Sequence, residues 1–201
     1  MEKRNKHQIK RELSFEKLME ASLKIFAEKG YDKASIDDIA KEAGYTKGTF
    51  YLHFSSKEEL FLKLMDNRLE SFKRQYFEVF SYVEDIEESL RRGVALFIEL
   101  TKKDNWAPIY FEFCVNSMRN PVIKKQMIVH YHSWIDMVTS VLKQLDPFKE
   151  CEDTQLKELA ALIIAIIDGY HLQYSIDPSI ADQNRIIQVI IQLLSSFKSG
   201  I

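Results

Sequence analysis

The first proline in this chain is Pro108, and only six glycines occur among its 201 residues. A chain so poor in backbone breakers cannot make the many tight turns of a β sandwich or barrel. Its long uninterrupted stretches have to be helices, with ends marked by other residues. Several such marks stand close together. Ser35 and Asp38 have the spacing of a capping box, and so do Ser56 and Glu59. Thr46 suits the N-cap of a short helix between them. Gly30 and Gly44 stand where helices have to stop.

From these marks the chain divides into helices throughout. The first runs from about 13 to 29, with Leu18, Ser22, Ile25 and Phe26 on one face. The second follows Ser35 and carries Ile36, Ile39, Ala40 and Ala43 as one apolar stripe. A short third helix holds Lys47 to His53, and a long fourth runs from Lys57 to about Phe80. Residues 81–86 form a bend, 87–102 a helix, and Asp104 or Asn105 opens another that reaches Met118. Asn120-Pro121 starts a helix to about Leu145, since proline is tolerated in the first helical turn. After a loop at Asp146-Pro147, helices span Asp153 or Thr154 to Ile176 and about 180–198. The expectation is an all-α chain of about nine helices. Residues 1–56 form a three-helix head with a basic N-terminal arm, and 57–201 form a larger helical bundle.

Composition removes several classes. With 46% hydrophobic and 29% charged residues the chain is globular rather than disordered. Cys114 and Cys151 form no C-x-x-C pair and read as plain thiols. The N-terminus has no apolar signal region, and the longest apolar run is Leu159–Ile167. A bilayer needs about 20 such residues, so the expectation is a soluble cytoplasmic protein with no membrane partner. No P-loop, dinucleotide fingerprint or G-x-S-x-G elbow occurs. His130 and His132 point apart on a helix, and Asp168 with His171 lacks the Glu-x-x-His pairing of a bundle metal site. No metal, cofactor or catalytic residue is expected.

Net charge is −2, but its distribution is uneven. Residues 1–60 hold 12 Lys/Arg against 11 Asp/Glu, and the first eleven carry Lys3, Arg4, Lys6, Lys10 and Arg11 against Glu2. By itself such an arm reads as a solvated terminus before it reads as a contact to DNA.

Residues 35–53 have helix-turn-helix spacing. In that motif the first helix braces the second in the major groove, so the second must be apolar inside and polar outside. Phe50 and Phe54 are i, i+4 and suit the inside. Thr46, Lys47, Thr49, Tyr51 and His53 then face out, and Gly48 removes a side chain where a helix backbone approaches DNA. Lys47, near the helix N-terminus, can donate to guanine O6 or N7. Tyr51 and His53 suit phosphate oxygens, as do Lys57, Lys33 and Ser35 at the starts of their helices. Spacing alone also fits an enzyme or small-molecule carrier with a purely structural turn.

The residue string is more specific. Residues 18–60, above all Gly44-Tyr-Thr-Lys-Gly-Thr-Phe-Tyr-Leu-His-Phe-Ser-Ser-Lys-Glu-Glu-Leu60, closely resemble the DNA-binding domain of the TetR (tetracycline-repressor) family. Phe26-Ala-Glu-Lys-Gly-Tyr31 and Ile39-Ala-Lys-Glu-Ala-Gly44 match it too. The resemblance implies a dimeric, all-helical regulator of transcription, usually a repressor, whose C-terminal bundle binds a small molecule. It puts Thr46, Lys47 and Gly48 at base-proximal positions and Tyr51, His53 and Lys57 at phosphate-contacting ones. Tyr45 and Leu52 depart from the family pattern, and Leu52 cannot bond a phosphate.

The resemblance also implies an effector pocket in the larger domain. Trp106, Tyr110, Phe113, Trp134 and Tyr170 are its expected liners, although the same aromatics fit ordinary core packing. A largely apolar or aromatic effector would suit them. The last two helices carry more apolar residues than a solvated face needs, among them Leu156, Leu159, Leu162, Ile163, Ile166, Ile167, Ile186, Ile187, Ile190, Ile191 and Leu194. With the resemblance, that excess implies a two-fold homodimer on a palindromic double-stranded DNA operator.

Overall fold

The first helix starts earlier than the apolar pattern implies. In a computed structural model, which describes residues 5–80, 85–102 and 105–199, α1 spans Lys6–Lys29. Its start is set by a polar capping box with no apolar signal. The Asn5 side chain accepts the His7 N–H, and the Gln8 side chain accepts the Asn5 N–H. Lys6, Lys10 and Arg11 therefore ride on the exposed surface of a helix rather than in an extended arm. Lys3 and Arg4 lie outside the described residues.

The next two helices end and begin as their caps require. In α2 (Ile36–Glu42), Ser35 Oγ accepts the Asp38 N–H at 3.1 Å and the Asp38 carboxylate accepts the Ser35 N–H at 3.2 Å. Gly44, at φ +75°, closes α2 by letting its own N–H reach the Lys41 carbonyl and the Tyr45 N–H reach that of Ala40. Thr46 Oγ1 accepts the Thr49 N–H and opens α3 (Lys47–Tyr51). The box before α4 (Lys57–Phe80) is half formed. Ser56 Oγ accepts the Glu59 N–H, but the Glu59 carboxylate turns to the N–H and hydroxyl of Ser55.

The remaining helices are α5 (Ile86–Lys102), α6 (Trp106–Arg119), α7 (Pro121–Gln144), α8 (Asp153–Ile176) and α9 (Gln183–Ser199), with a 3-10 turn at Asp146–Phe148. Among the described residues the fold is all-α, with nine α-helices and no strand. Most of the expected bend at 81–86 lies outside the described residues.

The chain forms two compact units, and they do not follow a single cut after residue 56. One unit extends through Met65 and takes in α6 as far as Lys124. The reason is aromatic packing. Phe61 on α4 stacks on Trp106 and on Phe113 of α6, with ring centroids 5.1 and 4.0 Å apart. Phe26 and Tyr31 close over the same ring. Phe50 and Phe54, like Leu18 and Ile39, are buried, each contributing about 1.5–3 kcal/mol by leaving water.

The second unit holds the rest of α4 with α5, most of α7, α8 and α9. Leu156, Leu159, Ile163 and Ile167 of α8 and Ile187, Ile190 and Leu194 of α9 are buried in its core. By length and composition alone α8 could cross a membrane. Its apolar surplus is explained by two faces. One is buried in this core, and the other leaves Leu162, Leu172 and Ile176 exposed.

Candidate functional site

Helix α3 is a short platform with opposed faces. Phe50 points into the head and has no exposed surface, while Thr46, Lys47, Gly48 and Tyr51 are exposed and Thr49 is half-buried. Thr46 is tied to Thr49 by its cap, and their hydroxyls lie 3.2 Å apart. The Lys47 ammonium rests on the Asp37 carboxylate of α2 at 3.0 Å, which holds its pKa above the ordinary lysine value. Both partners are solvated, so the pair is readily exchanged for another acceptor. A Cβ at Gly48 would meet only Thr46 Oγ1, at 3.6 Å. The fold of this chain therefore does not demand glycine there. Lys33 and Ser35 are exposed at the start of α2, where Ser35 is engaged as the cap.

Two residues expected at phosphate oxygens make contacts within the head. His53 Nε2 lies 2.8 Å from Ser14 Oγ of α1, and its ring packs edge-on against Phe15. Partial burial, reinforced by the Arg11 charge, lowers its pKa. Lys57 turns inward. Its ammonium donates to the carbonyls of Tyr31, Asp32 and Ala34 and lies 4.3 Å from the centre of the Tyr31 ring. Burial lowers its pKa. Spacing had put both residues near the interface, but spacing cannot say which way a long side chain turns. Leu52 is 71% exposed at the end of α3, beside Tyr51.

The second unit contains a cavity of about 60 Å³ between α4, α5, α7, α8 and α9. Phe72, Val94, Phe97, Met137, Ile163 and Ile190 are among its liners, and none of the lining groups presents a polar atom to it. The five aromatics expected to line a pocket are not in its wall. Trp106 and Phe113 are buried in the first unit against Phe61, and Tyr110 stacks on Trp106. Trp134 lies behind the wall, edge-on to Phe97 and tilted on Phe72. Tyr170 is buried beside Lys102. Aromatics at helical spacing announce burial; here the expected five pack elsewhere, and Phe72, Tyr76 and Phe97 join aliphatic side chains in the cavity wall.

Residues 18–64 match the family model described as bacterial regulatory proteins, tetR family, and 86–197 match that of the BetI-type transcriptional repressor, C-terminal. The chain belongs to the TetR family of transcriptional regulators.

A TetR-family assignment is consistent with the chain's relatives. It is 29% identical over 183 residues to the uncharacterized HTH-type transcriptional regulator YwcC of Bacillus subtilis, covering 83% of this chain and 78% of that one. Its fold is similar to the fatty acid degradation regulator FadR of Bacillus halodurans, with TM-score 0.70, 19% identity and 96% of each chain covered. It is equally similar to FadR of Bacillus subtilis, solved with stearoyl-CoA, with TM-score 0.70, 19% identity, and 93% and 99% of the chains covered.

TetR-family membership removes the enzyme reading: the chain is a helix-turn-helix regulator of transcription. Sequence reasoning missed Glu112 and Asn116 of α6. Glu112 accepts the N–H groups of Tyr31 and Asp32 at 2.7 and 2.9 Å, and Asn116 donates to the Asp32 carboxylate at 2.7 Å. The i, i+4 spacing of these polar residues was the only signal, and it does not reveal a partner some 80 positions away.

Proposed function

We propose that this chain is a ligand-responsive repressor that binds a palindromic operator as a homodimer and leaves it when a small, largely apolar effector enters the bundle. The observation that carries the DNA-binding half is the α3 platform. Thr46, Lys47, Gly48, Thr49 and Tyr51 share its outer side while Phe50 and Phe54 fix it from below. Lys47 reads a base and Tyr51 meets a phosphate. Lys33 and Ser35 meet the backbone at the start of α2, and His53 and Lys57 hold the platform in place.

Dimer formation is supported by the exposed face of α8. Leu162, Leu172 and Ile176 lie on one side of the helix with Gly169 among them. A Cβ at Gly169 would meet nothing within 4 Å. A glycine inside a helix costs about 0.5–1 kcal/mol against alanine, and nothing within the protomer requires this one. Close approach of a second α8 gives it a role. The family model matched over 86–197, which describes repressors, supports the direction of regulation.

The effector half is supported by the apolar cavity. Of the largely apolar or aromatic effectors expected, its wall, mostly aliphatic, favours an aliphatic chain. At about 60 Å³ it holds only a few methylenes, so an effector has to widen it. A ligand that binds the widened state better shifts the population toward that state. The relative crystallised with stearoyl-CoA carries an acyl chain, which is the same class of ligand.

The test is selection of bound fragments from genomic DNA in the cytoplasmic salt range. Repetition with Lys47→Ala and with saturating aliphatic ligand completes it. Recovery of an inverted repeat that both treatments abolish supports the reading. Loss with neither treatment contradicts it.

A further inference from the structure

Three helices of the second unit each pass from the apolar cavity to a polar residue at the same end. On α8, Ile163 and Ile167 line the cavity, and Tyr170 and Tyr174 continue the same helical face. On α9, Ile190 and Leu194 line it and Gln183 lies two turns back on their face. On α5, Val94 and Phe97 line it and Lys102 follows about 7–8 Å further along the axis. The three polar ends meet. Lys102 Nζ donates to Gln183 Oε1 at 2.7 Å and lies 4.5 and 5.4 Å from the ring centres of Tyr174 and Tyr170.

Among the described residues this cap holds both committed and uncommitted polar groups. Gln183 already spends its carbonyl oxygen on Lys102. The Glu99 carboxylate stands 3.8 Å from the ammonium and is largely solvated. Among the described residues the buried Tyr170 hydroxyl has no hydrogen-bond partner. Beside it, His171 is buried and neutral at pH 7, its pKa lowered to about 4 by burial and the Lys102 charge. A cation beside a buried hydroxyl donor suits an oxyanion, which can accept from both.

We propose that Lys102 and Tyr170 form the head-group site of the effector, and that the effector is an unbranched aliphatic carboxylate with its chain in the cavity. This rests on the reading that the cavity takes an apolar effector. A compact carboxylate suits a single ammonium and one phenol better than a bulky, multiply charged nucleotide does. The carboxylate of such a ligand would accept from the Tyr170 hydroxyl, which has no partner among the described residues.

Calorimetric titration of the full-length protein at pH 7.5 with dodecanoate, 1-dodecanol and dodecanoyl-CoA separates the possibilities. Dodecanoate is expected to bind at least ~10-fold tighter than the alcohol, the ratio set by one charge-assisted pair. Lys102→Met and Tyr170→Phe each bring that ratio toward one by weakening dodecanoate. Tyr170→Phe, which removes only an unpartnered hydroxyl, does so without lowering the melting temperature. The thioester, which has no free carboxylate, binds no better than the alcohol. A ratio unchanged in both variants, or tighter thioester binding that both variants retain, overturns the head-group site while leaving the apolar cavity reading intact. If neither dodecanoate nor the alcohol binds the wild-type protein, the cavity reading falls together with it.

Discussion

Glu112 on α6 holds Tyr31 in the loop between α1 and α2: its carboxylate accepts the Tyr31 N–H at 2.7 Å and takes the Asp32 N–H with its other oxygen. The Tyr31 ring then seats edge-on against Phe61 and Phe113. From the other side Lys57 takes the carbonyls of Tyr31 and Ala34. The loop that carries α2 is thus fixed by one acid and one base from two different helices. Glu112→Ala leaves a half-buried N–H unpaired and should cost about 1–3 kcal/mol of stability. Gly30→Ala should be harmful twice over, because Gly30 has φ +79° and a Cβ there would stand 3.0 Å from Glu112 Oε2. Thermal unfolding of both variants checks this.

Lys57 separates a positioning role from a phosphate contact. Lys57→Met should destabilise the head by about 1–3 kcal/mol, because carbonyls in a part-buried loop lose their donor. If the ammonium is committed to those carbonyls, the salt dependence of operator binding keeps its slope. A slope reduced by about one would mean that Lys57 neutralises a phosphate instead.

Gly48→Ala should move stability and DNA binding in opposite directions. The new methyl meets only Thr46 Oγ1 at 3.6 Å, so helix α3 gains by up to about 1 kcal/mol. Operator affinity should fall, because that methyl stands on the face proposed to enter the groove. Lys47→Ala should leave the melting temperature unchanged and weaken the operator complex roughly tenfold to hundredfold with relaxed base preference. Chemical denaturation and a shift assay at fixed salt read both.

Asp168 and His171, one turn apart on α8, titrate in opposite senses. Burial raises Asp168 to about 6, so the native state binds its proton first and this carboxyl penalises folding above pH 6. Burial and the Lys102 charge lower His171 to about 4. Its contribution is intact above about pH 6.5 and is lost as pH falls toward 4, because the unfolded chain binds that proton first. Each effect is on the order of 3 kcal/mol, and they oppose each other between pH 4 and 6. Asp168→Asn should therefore stabilise at pH 7 and not at pH 4. His171→Gln should stabilise at pH 4 relative to wild type and not at pH 7. Urea midpoints at the two pH values decide.

The sequence carried the head almost completely, because its boundaries are set locally. Ser35 with Asp38, Thr46 with Thr49, and Gly44 each act within four residues, and the structure forms each as the spacing implies. What was illegible depends on distance in the chain. α6 packs into the first unit through Phe113 on Phe61, and no local pattern marks that choice. Lys57 and His53 occupy expected positions, but their directions were decided by Tyr31 and Ser14, which no spacing rule connects to them. The extra turns at the start of α1 were missed because Asn5 and Gln8 cap a segment with no apolar stripe.

The exposed side of α8 offers a further check. Leu162→Lys with Leu172→Lys introduces charges on residues that are half exposed in the protomer, so folding should survive. Sedimentation should then change from dimer to monomer, and operator affinity should fall with it.

The most direct measurement is a hydroxyl-radical footprint of the protein on a fragment selected from genomic DNA. The account predicts two equivalent protected half-sites related by a dyad, with centres one helical turn, ~34–36 Å, or a multiple of it apart. Both protections should disappear in Lys47→Ala. A single asymmetric protection, or a pattern that the Lys47 variant reproduces unchanged, would contradict it.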